Sequence, residues 1–262
     1  MMTIAEIWQP LLTELDRWAE RGKRAVFWLR DDDAVAPTQA LDHLLDLADR
    51  FGIPTTLAVI PSQTKAALAR RLDKSPLAQV ALHGWSHSNH APKEQKKQEL
   101  GPHRAVAAMA EELRAGLLRL ARLHKARVVP MLVPPWNRID AALLPRLQSI
   151  GVSALSVFGP EEPSPVCTVN THVDLIDWKG SRGGRDTAEL IKEIVGRMRQ
   201  VEQTGGATGI LTHHLVHDEQ AWLFLEQLFD LTARHAGCDW APISRILQHA
   251  QKAHEKPATT GL

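Results

Sequence analysis

The groups most able to do chemistry here are three consecutive aspartates, a histidine pair with three residues between its members, and a second histidine cluster. Asp31, Asp32 and Asp33 directly follow Arg30. Three adjacent carboxylates beside apolar sequence repel one another and raise at least one pKa unless a cation lies among them. A metal ion or an arginine would relieve that strain, and Arg30 is at hand to supply part of the charge. The same run also suits a solvated loop or a helix cap. His83 and His87 stand four apart in His83-Gly84-Trp85-Ser86-His87, a spacing that lets two imidazoles on a helical turn reach one ion. With 13 histidines in the chain, such a pair arises easily by chance, so its weight depends on where it falls.

That position follows from the apolar pattern. Ala25 to Leu29 is a continuous apolar run, as in a strand buried on both faces, and it leads straight into Arg30 and the aspartates. Further strands are expected at Thr55–Ile60, at Ala78–Leu82 ending on His83, and at Val128–Val133 running into Pro134-Pro135-Trp136-Asn137. Three more are expected at Val152–Val157, around Val173–Ile176 and at Thr208–Thr212. Helices separate them. One carries Leu41, Leu44, Leu45 and Ala48, one starts near Ser62, one carries Val106, Met109, Leu113, Leu117 and Leu120, and one runs from Asp140 to Gly151. Another carries Leu190, Ile191, Ile194, Met198 and Val201 between an Asp186/Glu189 cap and Gly205-Gly206. An N-terminal helix opens on a Thr3/Glu6 capping box, carries Ile4, Trp8, Leu11, Leu15 and Trp18 at helical spacing, and stops at Gly22; two more helices finish the chain.

Strands alternating with helices predict an α/β fold with a parallel sheet, and about seven strands favour one (β/α) barrel over an open doubly wound sheet. Either architecture places ligand chemistry at the C-terminal ends of the strands, which is where the aspartates, both histidine clusters and the Pro-Pro-Trp-Asn turn fall. One barrel domain with an N-terminal helix is expected over residues 1–250, followed by a flexible tail, 251–262.

The composition of the 262 residues, 44% hydrophobic and 23% charged, is that of a globular chain with a full core. A formal net charge of +1, from 31 basic and 30 acidic side chains, gives no reason to expect nucleic acid or an anionic membrane as partner, and a small or neutral substrate fits better. Cys167 and Cys238 match no zinc or redox spacing. Glu6 and Glu14 interrupt the N-terminal segment where a signal peptide would be apolar, and no run approaches the roughly 20 apolar residues of a membrane span, so a cytoplasmic location is expected.

In content and in order these residues resemble the polysaccharide deacetylases, the group that includes chitin and peptidoglycan deacetylases. The resemblance rests on Asp32-Asp33, His83 with His87, Pro134-Pro135-Trp136, Asp177-Trp178 and Leu211-Thr212-His213, and spans about residues 24–214. It implies a distorted seven-stranded TIM-like barrel of the glycoside hydrolase/deacetylase type. It also implies a divalent metal held by Asp33, His83 and His87, with zinc the default and cobalt, nickel, manganese or iron acceptable to similar ligands. By the same resemblance Asp32 is the general base, His213 the acid that protonates the departing amine, and Asp177 the group that orients His213. The Pro135-Trp136-Asn137 turn would contribute a backbone N–H to the oxyanion, and Trp178 and Leu211 would wall the acetyl methyl. The implied activity is removal of acetyl groups from an N-acetylated sugar, oligosaccharide or related amide. A non-sugar or cyclic amide on the same fold, and a non-catalytic barrel that binds carbohydrate, are the alternatives.

The chain departs from the family pattern at several places. Its triple aspartate leaves open whether Asp31-Asp32 or Asp32-Asp33 supplies base and ligand. The arginine that relatives place before Pro-Pro to steady the base is Val133 here, which is the main argument for a non-catalytic barrel; Arg30 and Arg138 are the two possible replacements. The glycine after the aromatic is Asn137. The doublet His213-His214, followed by His217 and Asp218, leaves two residues able to serve as the acid.

Overall fold

The computed structural model describes residues 3–254. Helix α1 (Ile4–Glu20) begins with the expected capping box: the Thr3 hydroxyl accepts from Glu6 N, and the Glu6 carboxylate accepts from Thr3 N at 2.7 Å. There follow β1 (Ala25–Ala34), α2 (Gln39–Phe51), β2 (Thr55–Val59), α3 (Ala66–Leu72), β3 (Ala78–Leu82), α4 (Val106–His124) and β4 (Val128–Leu132). The second half comprises β5 (Ala154–Leu155), β6 (Cys167–Thr168), β7 (Val173–Asp174), α5 (Thr187–Thr204), β8 (Thr208–Thr212), α6 (Glu219–Thr232), β9 (Cys238–Trp240) and α7 (Ile243–His254).

All named strand pairs are parallel, in the order β6-β5-β4-β3-β2-β1-β8-β7. The segment from β6 to β7 bends the sheet round on itself. Val169 N and Thr171 N donate to Leu155 and Val157 on one side, whereas His172 N and Leu175 N donate to Gly209 and Leu211 on the other. The result is a curled, distorted barrel in which β6 and β7 together act as one strand between β5 and β8. β9, which the apolar pattern did not predict, adds beside the first residues of β1, pairing Ala25 with Cys238 and Phe27 with Trp240.

Strand alternation divides the core. Phe27 and Leu29 pack into a cluster with helix residues such as Leu11, Leu41 and Leu44. Trp28 points the other way, into a cluster with Ala58, Ala81, Met131, Ala154 and Cys167. The small alanines of neighbouring strands leave room inside the barrel for the indole. Residues 30 and 32 share the parity of Trp28.

Three expected elements shrink, one of them the strand around Val173–Ile176, which keeps only Val173–Asp174. Residues 141–150 form short 3₁₀ segments, Ala141–Arg146 and Gln148–Ile150, instead of an α-helix, because Pro145 lacks the N–H that a helix interior needs. The strand expected at Val152–Val157 is only two residues long. α7 runs to His254, so residues 251–254 of the expected flexible tail are helical, and the rest of that tail lies outside the described residues. Among the described residues no helix is long and apolar enough to cross a membrane.

His124, at the end of α4, is 4% exposed and neither of its ring nitrogens has a hydrogen-bond partner. Burial, with Arg127 nearby, pushes its pKa down to about 4 from 6.5. A base depressed in the folded state leaves the unfolded chain binding more protons, so stability present above pH 6.5 is lost as the pH falls toward 4. His124→Leu is expected to flatten that loss by up to roughly 3 kcal/mol, read as the change in urea midpoint between pH 7 and pH 4.5. An unchanged slope would contradict the assignment.

Candidate active site and metal centre

The end of β1 delivers four charged residues into buried surroundings, and strand alternation sorts them. Arg30 and Asp32, on the inner face, are 0% and 3% exposed. The Arg30 guanidinium faces the Asp32 carboxylate, with Nε 3.0 Å from Oδ1 and Nη2 3.1 Å from Oδ2. It also donates to Ser156 Oγ and Asn137 Oδ1, both at 2.8 Å. Of the two arginines available to replace the one missing at Val133, Arg30 is therefore the one that meets Asp32. Arg138 instead donates to the Lys97 carbonyl at 2.9 Å.

Asp31 faces the opposite way and is fully buried, accepting from His214 N at 2.8 Å and pairing with His214 Nδ1 at 2.5 Å. Burial raises the Asp31 pKa despite the opposing influence of His214, and the charge of Asp31 raises His214 against its own burial. His214 is thus engaged behind the strand. His213 turns to the other side, its Nε2 3.9 Å from Asp32 Oδ2. His217 is occupied as well: it shares a hydrogen bond with Thr212 and packs edge-on against Trp222. Burial, together with the charges of His214 and His213, pushes its pKa down to about 3. Asp218 caps α6.

Simple alternation would aim Asp33 the same way as Asp31. It does not, because Asp33 adopts φ 73°, a left-handed backbone, at a bulge in the β1–β2 register. Its Oδ1 then lies 3.1 Å from His83 Nε2 and 3.2 Å from His87 Nε2. His83 sits just past β3, and its Nδ1 donates to the Val133 carbonyl at 2.8 Å. A carbonyl only accepts, so Nδ1 carries a proton; Nε2 donates to Asp33 when the ring is protonated and offers its lone pair to an ion when the ring is neutral. Position 133 thus serves the site through its backbone.

The two histidines do not share a helical turn, contrary to the reading of their spacing. Residues 84–87 form a loop in which Gly84 and His87 are left-handed, at φ 59° and 57°. Glu99, fully buried, shapes this loop by accepting from Ser86 N at 2.7 Å and His87 N at 3.2 Å, and from Trp85 N. Glu99 was not anticipated, since nothing in its local pattern distinguishes it from a surface glutamate. Gly84 is required: a Cβ there would lie 2.0 Å from Glu99 Oε2 and 2.6 Å from Pro135 Cγ.

Burial pushes the Asp33 carboxyl up, but the hydrogen bond from His83 and the charges of both imidazoles outweigh it, holding the group well below the ordinary range. His87 is lowered by burial and by His83, while Asp33 and Asp32 raise His83 against its burial. The three candidate ligand atoms lie within 4.8 Å of one another. Two imidazole nitrogens and one carboxylate oxygen, with the second nitrogen of His83 tied to a carbonyl, are a donor set that fits a divalent ion with open positions.

The remaining expected residues divide. Trp136 and Asn137 both sit at φ 56°, and the Trp136 ring packs 4.2 Å from that of His87. Pro135 is buried at the foot of the same turn. Trp178 is 41% exposed and lies edge-on to His213 at 4.7 Å, with its Nε1 donating to Asp174 Oδ2 at 2.9 Å. Asp177 does not meet His213. Its exposed carboxylate accepts from Lys179 N, Gly180 N and Ser181 N, which lowers its pKa, so it shapes a turn. The carboxylate beneath Trp178 is Asp174, raised by burial with His213 opposing. Leu211 is fully buried in β8, paired across the sheet with Arg30 and Asp174, and does not line the cleft. The cleft itself, about 410 Å³, is lined by Asp32, Asp33, His83, His87, Trp136, Asn137, Trp178 and His213, with Lys97, Arg138 and Arg182 at its edge.

Residues 19–153 match the family described as polysaccharide deacetylase. The fold is similar to that of a candidate polysaccharide deacetylase from Mycobacterium smegmatis, with a TM-score of 0.70 at 15% identity, covering 92% of this chain and 95% of the other. Peptidoglycan deacetylase PdaC from Bacillus subtilis gives 0.55 at 18% identity, with 88% and 94% covered. A family 4 acetyl xylan esterase from Clostridium thermocellum, in complex with a cobalt ion, gives 0.53 at 17%, with 86% and 91% covered. A comparison with curated proteins found no match. The curled parallel barrel, the cluster of Asp33, His83 and His87 and the family match agree, and the chain belongs to the polysaccharide deacetylase family.

Removing one member of a buried ion pair leaves the other charge uncompensated. Arg30→Met is therefore expected to destabilise the fold by about 3–5 kcal/mol in urea unfolding at pH 7, and a loss below about 1 kcal/mol would show that Asp32 is neutral or otherwise paired. Gly84→Ala, which forces Glu99 and Pro135 apart, is expected to weaken metal binding by about 10–100-fold by calorimetry.

Proposed function

We propose that this chain is a metal-dependent hydrolase that removes an acetyl group from an N-acetylated sugar or a related amide. The convergence of Asp33, His83 and His87 beside a buried Asp32 and an inward-facing His213 carries this reading. A divalent ion held by the first three, with zinc the default, supplies Lewis-acid polarisation of the acyl carbonyl and a lowered water pKa.

The chain's own residues do the rest. Asp32 accepts the proton of the attacking water, and Arg30 keeps its carboxylate pointed into the cleft through two contacts. His213 gives a proton to the departing amine. The edge of Trp178 fixes the tilt of its ring, and Asp174, bound to the Trp178 indole, is the buried carboxylate on that side. Trp136 covers His87 and narrows the cleft at the acyl end. The loss of an arginine at Val133, which favoured a non-catalytic barrel, has less force once Arg30 is seen to hold Asp32. In a cytoplasmic setting, as the sequence leads us to expect, a soluble amide is a more accessible substrate than a cell-wall polymer.

Purified protein is expected to bind about one divalent ion per chain, and a variant combining Asp33→Ala and His87→Ala is expected to bind none, by elemental analysis. Asp32→Asn should keep the metal and reduce hydrolysis of acetylated sugars by at least about 10²-fold. Equal metal content in wild type and the double variant would reject the site, and unchanged hydrolysis in Asp32→Asn would reject the base.

A further inference from the structure

The near-zero net charge of the whole chain conceals a local imbalance at the cleft. Both carboxylates inside it are already engaged, Asp32 by Arg30 and Asp33 by the two imidazoles. Around the rim stand Lys97, Arg138 and Arg182, and among the described residues none of them forms an ion pair with a carboxylate. Glu162 shares the neighbouring depression with Arg138 without pairing to it.

Two of these cations are held in place from behind. Arg138 follows the Pro135-Trp136-Asn137 turn directly, and its Nη1 donates to the Lys97 carbonyl at 2.9 Å, which ties the two basic residues to one edge of the cleft. Arg182 also lines the cleft, from the loop between β7 and α5. Asp177 fixes that loop by accepting from three of its backbone N–H groups, and Asp218 accepts from Gly184 N at 2.9 Å. Gly183 is packed so closely on Asp218 that a Cβ would lie 1.9 Å from its Oδ2. Within this glycine-rich loop, position 182 has φ 62°, a backbone that favours glycine, yet it carries an arginine. Asp177 thus has a role other than the expected one: it holds the loop that presents Arg182.

We propose that the substrate carries an anionic oxygen group, a carboxylate or a phosphate, beside its acylated amine, and that Arg138 and Arg182, with Lys97, bind it. Guanidinium groups recognise the planar or tetrahedral oxygens of such groups through paired donors, and a cleft between low-dielectric walls strengthens the attraction. This rests on the reading of the cleft as the substrate site. It narrows the small or neutral substrate suggested by net charge to a small anionic one.

The test measures binding of three sugars to the metal-loaded protein by titration calorimetry: N-acetylglucosamine, N-acetylglucosaminuronic acid and N-acetylglucosamine 6-phosphate. One of the two anionic sugars is expected to bind at least about tenfold more tightly than the neutral one, and which one identifies the anion. In a variant combining Arg138→Gln and Arg182→Gln the advantage is expected to fall to about twofold or less, whereas Arg138→Lys with Arg182→Lys should keep part of it. Raising the salt concentration should shrink the wild-type advantage in the same direction. Equal affinity for all three sugars would overturn the proposal, as would an advantage that survives both glutamine substitutions, because the anion would then sit elsewhere. Hydrolysis measured in parallel separates the two readings: anion-selective binding without turnover of any sugar would leave this inference standing and remove deacetylation, and turnover without anion selectivity would do the reverse.

Discussion

One carboxylate oxygen of Asp33 faces two imidazole nitrogens, at 3.1 and 3.2 Å, and the geometry of the cleft follows from that shared contact. It cannot form from regular strand ends alone. Asp33 leaves the strand at φ 73°, His87 sits at φ 57°, and Trp136 and Asn137 in the turn that closes over them are both at φ 56°. Each left-handed non-glycine residue costs about 1 kcal/mol or more. Such strain persists only where the surroundings over-determine it, and here they do. Glu99 clamps the 84–87 loop through its backbone, Gly84 lets Pro135 close in, and Val133 holds the far side of His83. Strain concentrated at four residues around one cluster marks a place where the fold gives up stability for position.

The second constraint is the charge of Asp32, which lies 3% exposed inside a barrel otherwise filled by Trp28, alanines and Met131. A carboxylate in such surroundings is tolerable only with a partner and further hydrogen bonds. Arg30 supplies the partner along the same strand, two residues earlier and on the same face, and Ser156, Asn137 and the Val157 carbonyl accept further bonds from its guanidinium. With the cation arriving from β1, position 133 is free to be apolar, and valine there packs the barrel interior while its carbonyl serves His83. The asparagine after the aromatic, another departure from the family pattern, belongs to the same arrangement because it is the group that receives Arg30.

Much of this could be read in the residues themselves. The strand positions of β1 to β4 and β8, the caps of α1 and α5, and the placing of the aspartate run and the histidine pair at strand ends follow from periodicity, capping chemistry and the parallel-sheet rule, whereas the grouping of Asp33 with His83 and His87 comes from the family resemblance. Where the residues left a choice open or misled, the cause is specific. The Asp31-Asp32-Asp33 register depended on one left-handed residue that no local pattern announces, and that residue separates Asp33 from the face Asp31 shares with His214. Asp177 and Asp174 are both near Trp178 in sequence, and only the turn that Asp177 caps shows that it is Asp174 whose carboxylate lies beneath that indole. Leu211 is adjacent to the cleft in sequence and is the register partner of the inward-facing Arg30, but it is fully buried in the sheet. Glu99 acts through backbone groups some twelve to fourteen residues away, a contact that exists only after the loop has folded.

The central claim is that these three side chains share one divalent ion. Anomalous diffraction from crystals grown with zinc or cobalt tests it most directly. The expected result is a single strong peak per chain, about 2.0–2.2 Å from His83 Nε2, His87 Nε2 and a carboxylate oxygen of Asp33. A peak bound elsewhere, or none at this cluster at saturating metal, would contradict the account.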